Sequence, residues 1–104
     1  MNNRYFKEQI RVRGILAHRD SWLVWAFHAR ERMRHDRITE ADVRHVLTTG
    51  QVTWTETKVD EIFSVEGRLP ADHNKKMRVV VAVRDAALTL KVITVIPFWK
   101  GSRQ

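Results

Sequence analysis

The chain has 104 residues, enough for one domain with a modest hydrophobic core. Its 19 Lys and Arg residues outnumber 12 Asp and Glu residues, and the net charge of +7 makes a phosphate-rich partner the first to test. The absence of cysteine excludes disulfides, zinc–thiolate sites, cysteine-ligated iron–sulfur clusters and thiol nucleophiles. No apolar run approaches the roughly 18 residues of a membrane-spanning helix, and no secretory signal opens the chain, so the expected compartment is the cytoplasm.

The first predicted element is a helix over residues 3–16, where apolar side chains recur at helical spacing. The apolar run at residues 22–27 permits two interpretations. In the favoured one, a polar cap just before the run starts a long helix that reaches about His35. In the other, the run is a buried strand and a shorter helix begins near His28.

The following helix has the clearest start signal in the chain. Thr39 is predicted to cap it, and Asp42, three residues later, stands where a capping box places its second partner. Ile38 is expected to pack on Val43 across this cap. Gly50 is predicted to end the helix in a left-handed conformation.

After Gly50 the apolar period changes from helical to alternating, which is typical of strands. Trp54 is predicted to share a face with Val52 and Glu56 because the three residues alternate. Four strands are predicted at residues 52–57, 62–66, 77–83 and 88–96, with a loop at residues 67–76. The predicted fold class is α+β, with N-terminal helices packed on one face of a four-stranded antiparallel sheet.

His28, Arg32 and His35 share one helix face at the spacing i, i+4 and i+7, and Arg37 follows at the helix exit. Metal-independent RNA cleavage needs a base, an acid and cations that stabilise the charge developing on the phosphate. Imidazole and guanidinium groups can supply these functions. The alternative interpretation, favoured by spacing alone, is a solvated Arg-rich face with local ion pairs.

The second half of the chain supplies further predicted phosphate contacts. These are Arg68, Lys75, Lys76 and Arg78, and Trp99, just past a strand end, is the predicted exposed ring for base stacking. The remaining tryptophans are assigned to the core: Trp22, Trp25 and Trp54. The remaining histidines are interpreted as incidental: His18, His45 and His73. No spacing completes a ligand set, so no metal and no cofactor are expected.

The helical residues also carry a resemblance to a known family. The motif is His28-Ala29-x-x-Arg32-Met33, followed by Ile38-Thr39-x-x-Asp42-Val43-x-x-Val46-Leu47-x-x-Gly50. It resembles the opening motif of a bacterial domain family of unknown function, which is similar to the RelE-type toxins and to the small ribonucleases that include barnase and the colicin nucleases. The resemblance covers about residues 26–97, so residues 1–25 are interpreted as an N-terminal helical extension within a single domain, residues 1–104.

The resemblance implies a RelE-like fold and a small toxin-type ribonuclease that cleaves RNA, including ribosome-bound mRNA, without a metal. It implies a protein antitoxin as partner and carries catalysis over to His28 and Arg32. The helix face itself adds Arg37 to the predicted catalytic set and His35 as a predicted phosphate contact. Arg37 stands where the family has glycine. The alternative is a non-catalytic RNA-, ribosome- or protein-binding module on the same fold, and a DNA-binding antitoxin is a weaker third hypothesis.

Overall fold

The computed structural model describes residues 4–99, so residue 3 of the first predicted helix lies outside the described part. Three α-helices and five strands form the domain. Their bounds are α1 Phe6–Ala17, β1 Trp22–Trp25, α2 Phe27–Asp36, α3 Glu40–Thr49, β2 Gln51–Glu56, β3 Glu61–Arg68, β4 Lys76–Arg84 and β5 Thr89–Pro97. None of the helices described between residues 4 and 99 has both the length and the apolar character to cross a membrane.

The strands form one mixed sheet in the order β1-β5-β4-β3-β2. Strands β2 to β5 are an antiparallel meander, whereas β1 pairs with β5 in parallel. The α+β class is therefore confirmed. The prediction of four antiparallel strands missed β1, which makes the sheet five-stranded and mixed. The sheet gains this strand because Trp22 and Ala26 donate backbone hydrogen bonds of 2.9 Å to Leu88 and Val92.

The long helix over residues 22–35 was the wrong alternative, since strand β1 and a separate helix α2 occupy this segment. The helical interpretation of residues 1–25 accordingly holds only as far as Ala17 among the described residues. Helix α2 ends at Arg37, which adopts the left-handed conformation with φ 58° and ψ 42°. Glycine is the usual residue in this conformation at a helix end, so Arg37 holds a backbone geometry that suits glycine better than arginine.

Helix α3 begins as predicted. The Thr39 hydroxyl accepts a 3.0 Å hydrogen bond from the Asp42 amide, and the Asp42 carboxylate accepts one of the same length from the Thr39 amide. Its end differs, because Gly50 is extended at φ −80° rather than left-handed. Glycine is needed here for space, since a Cβ atom on Gly50 would lie 2.6 Å from the Val46 carbonyl oxygen and closer still to that of Glu66.

The two faces of the sheet differ because side chains alternate along each strand. Helices α2 and α3 contact the face that carries Met77, Val79 and Val81, all three of which are fully buried. The other face, called the open face below, carries the alternating residues of the same strand and their registered partners. Its members include Trp22, Val24, Trp54, Ser64, Glu66, Arg68, Lys76, Arg78 and Val80.

The left-handed Arg37 allows a direct test of the cost of a side chain at this position. We expect Arg37→Gly to raise the free energy of unfolding by about 1 kcal/mol, because it relieves the Cβ strain of the left-handed region. Arg34→Gly, on the exposed side of α2, is the matched control and should lower stability by about 1 kcal/mol through lost helix propensity. Urea unfolding of both variants measures the change in the free energy of unfolding. If Arg37→Gly also destabilised the protein, this result would contradict the proposed strain at Arg37.

Candidate nucleic-acid interface

Two of the residues predicted to act on RNA, Arg32 and His35, lie beside the carboxylate of Asp36. The Asp36 side chain is only 5% exposed, and its two oxygens lie 3.6 Å from Arg32 Nε and 3.1 Å from His35 Nδ1. A carboxylate only accepts hydrogen bonds, so His35 donates to Asp36 in the forms of the imidazole that carry a proton on Nδ1. His28 and Arg37 are exposed. The helix thus presents two imidazoles, but Asp36 already pairs with one of them and with Arg32.

The predicted phosphate contacts of the second half come together at one end of the sheet. Arg68 and Lys76 are registered partners on β3 and β4, and Arg78 follows two residues later on the same face. Lys76 and Arg78 lie over the ring of Phe98, at 5.9 and 5.5 Å from its centroid. This group, Arg68, Lys75, Lys76 and Arg78, is called the basic end below.

Trp99 does not have the exposed position that the sequence predicted. Its ring is half-buried against the hydrophobic core, and Lys75 Nζ lies 5.5 Å from its centroid. The reason is that the strand geometry continues past Pro97, where the Phe98 amide donates a 2.9 Å hydrogen bond to the Lys76 carbonyl. Alternation then gives the open face Phe98 instead of Trp99.

The two predicted sets belong to different layers of the domain. His28, Arg32, His35 and Arg37 belong to α2, which packs on the helical side of β5, whereas Arg68, Lys76 and Arg78 lie on the open face. The structure therefore brings Arg68, Lys76 and Arg78 together but does not bring the α2 residues to them.

A groove of about 570 Å³ opens beside the basic end, where α3 meets the sheet. His45 of α3 and His73 of the β3–β4 loop line it together with Arg68, Lys76 and Glu66. Arg68 Nη1 donates a 2.9 Å hydrogen bond to the His73 carbonyl, which ties the loop to the strand. Both histidines were interpreted as incidental because no sequence spacing connects them; strand pairing and the loop bring them together.

A second pocket, of about 500 Å³, lies on the open face between Thr53, Trp54, Ser64, Glu66, Arg78 and Val80. Trp54 is 47% exposed and Trp22 is 68% exposed, so assigning them to the core was wrong; Trp25 packs against the core as predicted. A β-bulge between Val52 and Trp54 explains the difference for β2. The extra residue shifts the alternation, so that Val52 faces the core while Trp54 pairs with Ser64 on the open face.

Ser64 is the unusual polar residue of this pocket. It is 2% exposed, and its Oγ has no hydrogen-bond partner among the described residues. A buried hydroxyl without a partner costs about 1–3 kcal/mol relative to one that is satisfied. Such a group points to an interaction that the isolated chain does not make.

Glu66 lines both the groove and the pocket and carries the strongest polar contacts of the open face. Its Oε2 accepts hydrogen bonds from Arg78 Nη2 at 2.8 Å and from Thr53 Oγ1 at 3.1 Å, and Lys76 Nζ lies 3.5 Å from Oε1. Burial raises the pKa of Glu66, but the hydrogen bonds from Arg78 and Thr53 and the two positive charges outweigh it. The net result is a pKa below the ordinary value.

This lowered pKa predicts how stability depends on pH. Since the folded-state pKa of Glu66 lies below its unfolded value, its contribution is fully present above the unfolded pKa of 4.5 and is lost as pH falls through the folded pKa. We expect the wild type to lose more stability than Glu66→Gln between pH 6 and about pH 3, a range chosen to cross the carboxylate titration. Urea unfolding across this range measures the difference, and parallel curves would refute the assignment.

No three His, Asp or Glu side chains between residues 4 and 99 converge in a way that could hold a metal ion. The basic end carries guanidinium and ammonium groups, and the adjoining groove adds the imidazoles of His45 and His73 and the carboxylate of Glu66. Such a set can bind phosphate and move protons.

Comparison with known proteins identifies a family without a known activity. No curated protein and no solved structure matches the chain. The family model described as a domain of unknown function, DUF4258, matches residues 25–97, from the end of β1 to the end of β5. The match covers well over half of the chain and includes α2, α3, the groove and the basic end, so the protein belongs to the DUF4258 family.

Proposed function

We propose that this domain binds single-stranded RNA through the basic end and the adjoining open face. The observation that carries the proposal is the assembly of Arg68, Lys76 and Arg78 on two paired strands, where Phe98 lies beside Lys76 and Arg78, with Lys75 in the loop directly before β4. Lysine and arginine groups supply the phosphate contacts that dominate nucleic-acid affinity. The exposed Trp54 ring on the same open face offers a stacking surface for an unpaired base.

The charges of the basic end are only partly neutralised within the protein. Lys76 and Arg78 share the Glu66 carboxylate. Within residues 4–99, neither Arg68 nor Lys75 has a carboxylate partner. A phosphate can therefore approach these two cations without breaking an ion pair, which favours binding of a polyanion.

Removal of the two unpaired cations tests RNA binding. We expect the double variant Arg68→Ala, Lys75→Ala to weaken binding of a short single-stranded RNA about tenfold or more and to reduce the salt dependence by about one to two charges. Fluorescence anisotropy in EDTA, over a series of salt concentrations, measures both effects.

Arg84→Ala is the control for this experiment. It removes one positive charge, half of what the double variant removes, at the opposite end of β4, about 26 Å away at strand spacing, and should change the affinity by no more than about twofold. An equal loss in the control would mean that only net charge matters. Absence of binding by the wild type, or binding that salt does not weaken, would refute the proposal.

RNA cleavage without a metal, as the resemblance to RelE-type toxins implies, is a second candidate function. The groove favours it by placing His45 and His73 beside the cations Arg68 and Lys76. In this mechanism one imidazole takes the proton of the 2′-hydroxyl and the other protonates the departing 5′-oxygen. The cations stabilise the charge that develops on the phosphate. The competing hypothesis assigns these functions to α2.

Histidine variants distinguish the two hypotheses. If the groove is the site, we expect His45→Ala and His73→Ala each to reduce cleavage of RNA in EDTA by about a hundredfold or more, the usual contribution of general acid–base catalysis. His28→Ala and Arg32→Ala should then have little effect, and exposed His18→Ala serves as the control. The reverse result would support the α2 assignment of His28, Arg32 and Arg37. Lack of product from the wild type would leave the non-catalytic RNA-, ribosome- or protein-binding module.

Membership of a toxin–antitoxin pair is the biological setting we propose for such an activity. The net positive charge and the motif resemblance support it. Expression of the wild type should then slow bacterial growth, and co-expression of the neighbouring reading frame should restore it through a protein antitoxin. Cytoplasmic localisation belongs to the same proposal.

A further inference from the structure

We infer that the pocket formed by Thr53, Trp54, Ser64, Glu66, Arg78 and Val80 is a subsite for one unpaired nucleobase of the RNA strand. It is called the Trp54 pocket below. The inference rests on the proposed RNA binding and adds to it a specific place for a base. In this arrangement the basic end contacts phosphates of the RNA strand, and the Trp54 pocket holds the base of one nucleotide.

The walls of the pocket suit a flat, partly polar ring. Trp54 is 47% exposed and therefore offers an indole surface to a ligand, and Val80 adds an apolar contact. A space of about 500 Å³ lies within the range that small-molecule sites occupy. Stacking on an aromatic side chain is the main way in which proteins hold unpaired bases.

The floor of the pocket contains a polar group that a ligand could satisfy. The Ser64 hydroxyl is buried and has no partner among the described residues. A hydroxyl both donates and accepts, and the edge of every base carries donors or acceptors that can satisfy it. A base edge that reaches Ser64 would therefore provide the interaction that this hydroxyl lacks.

Arg78 connects the pocket to the phosphate contacts. It lines the pocket and belongs to the basic end, and it lies on the same strand and face as Lys76. A nucleotide with its base against Trp54 therefore has cations beside it for the neighbouring phosphates. This continuity of a stacking ring with a row of cations favours RNA over a peptide, whose backbone carries no regular charge.

Entry of the base requires a side-chain movement. The Ser64 Oγ is covered by its neighbours in this structure. The half-exposed Trp54 ring has solvent on one side and can swing outward, so that the base is held between the ring and the floor. Binding should therefore change the fluorescence of Trp54 as well as the affinity.

The test compares two RNA probes that have the same phosphates. One is a fluorescein-labelled single-stranded 9-mer of mixed sequence, and the other is the same 9-mer with abasic positions. We expect the wild type to bind the intact probe about tenfold more tightly than the abasic one, which corresponds to the contribution of one stacked base. Trp54→Ala should bring this ratio close to one.

Two further variants separate a binding role from a structural one. Trp22→Ala removes the other exposed indole of the open face, at the opposite edge of the sheet, and should leave the ratio unchanged. Ser64→Ala should lower the ratio severalfold while its urea unfolding midpoint stays the same or rises, because it removes a buried hydroxyl that has no partner in the free protein.

The outcomes also distinguish this inference from the proposed function. If the wild type binds neither probe, RNA binding fails and the inference fails with it. If it binds both equally, phosphate binding stands and the base subsite is overturned. The base subsite is also overturned if Trp54→Ala and Trp22→Ala lower the affinity ratio equally, or if Ser64→Ala leaves the ratio unchanged. Tight binding of a peptide that displaces the intact probe would overturn it as well.

Discussion

The close contact between Gly50 and Gly67 is the constraint on which the site depends. A Cβ atom on Gly67 would lie 3.1 Å from Gly50 Cα, and one on Gly50 would collide with the Glu66 backbone. A side chain at position 50 would force the end of α3 away from β3, and one at position 67 would press against Gly50. Helix α1 reinforces this contact between α3 and β3, because Arg13 Nη2 donates a 2.9 Å hydrogen bond to the Gly50 carbonyl.

The contact between α3 and β3 also determines which side chains line the groove. It brings the last turns of α3, with His45, against the strand ends that carry Arg68 and Lys76. Neighbouring Val52 donates its amide to the buried Gln9 side chain at 3.0 Å, which ties α1 to the first residues of β2. The groove is therefore a consequence of packing between helices and sheet and not of any local motif.

Glu66 links the two cavities of the domain. It lines the groove on one side and the Trp54 pocket on the other, and it is hydrogen-bonded to Arg78, which belongs to the basic end. The carboxylate holds this guanidinium in place while Arg68 and Lys75 lack carboxylate partners among the described residues. A strand of RNA that crosses the basic end would thus have the groove and the pocket within reach of neighbouring nucleotides, which supports treating both as parts of one interface.

The sequence by itself determined the features that depend on near neighbours: the capping box of Thr39 and Asp42 and the strands of the meander. The basic end was predictable for the same reason, because β3 and β4 are consecutive strands joined by one loop. Tertiary structure alone decided the strand at Trp22–Trp25, whose partner β5 lies more than 60 residues further along the chain. It also decided the exposure of Trp54, which follows from a bulge, and the presence of His45 and His73 in one groove. These features depend on hydrogen bonds and packing between distant segments, and local periodicity carries no information about which distant segment will pair.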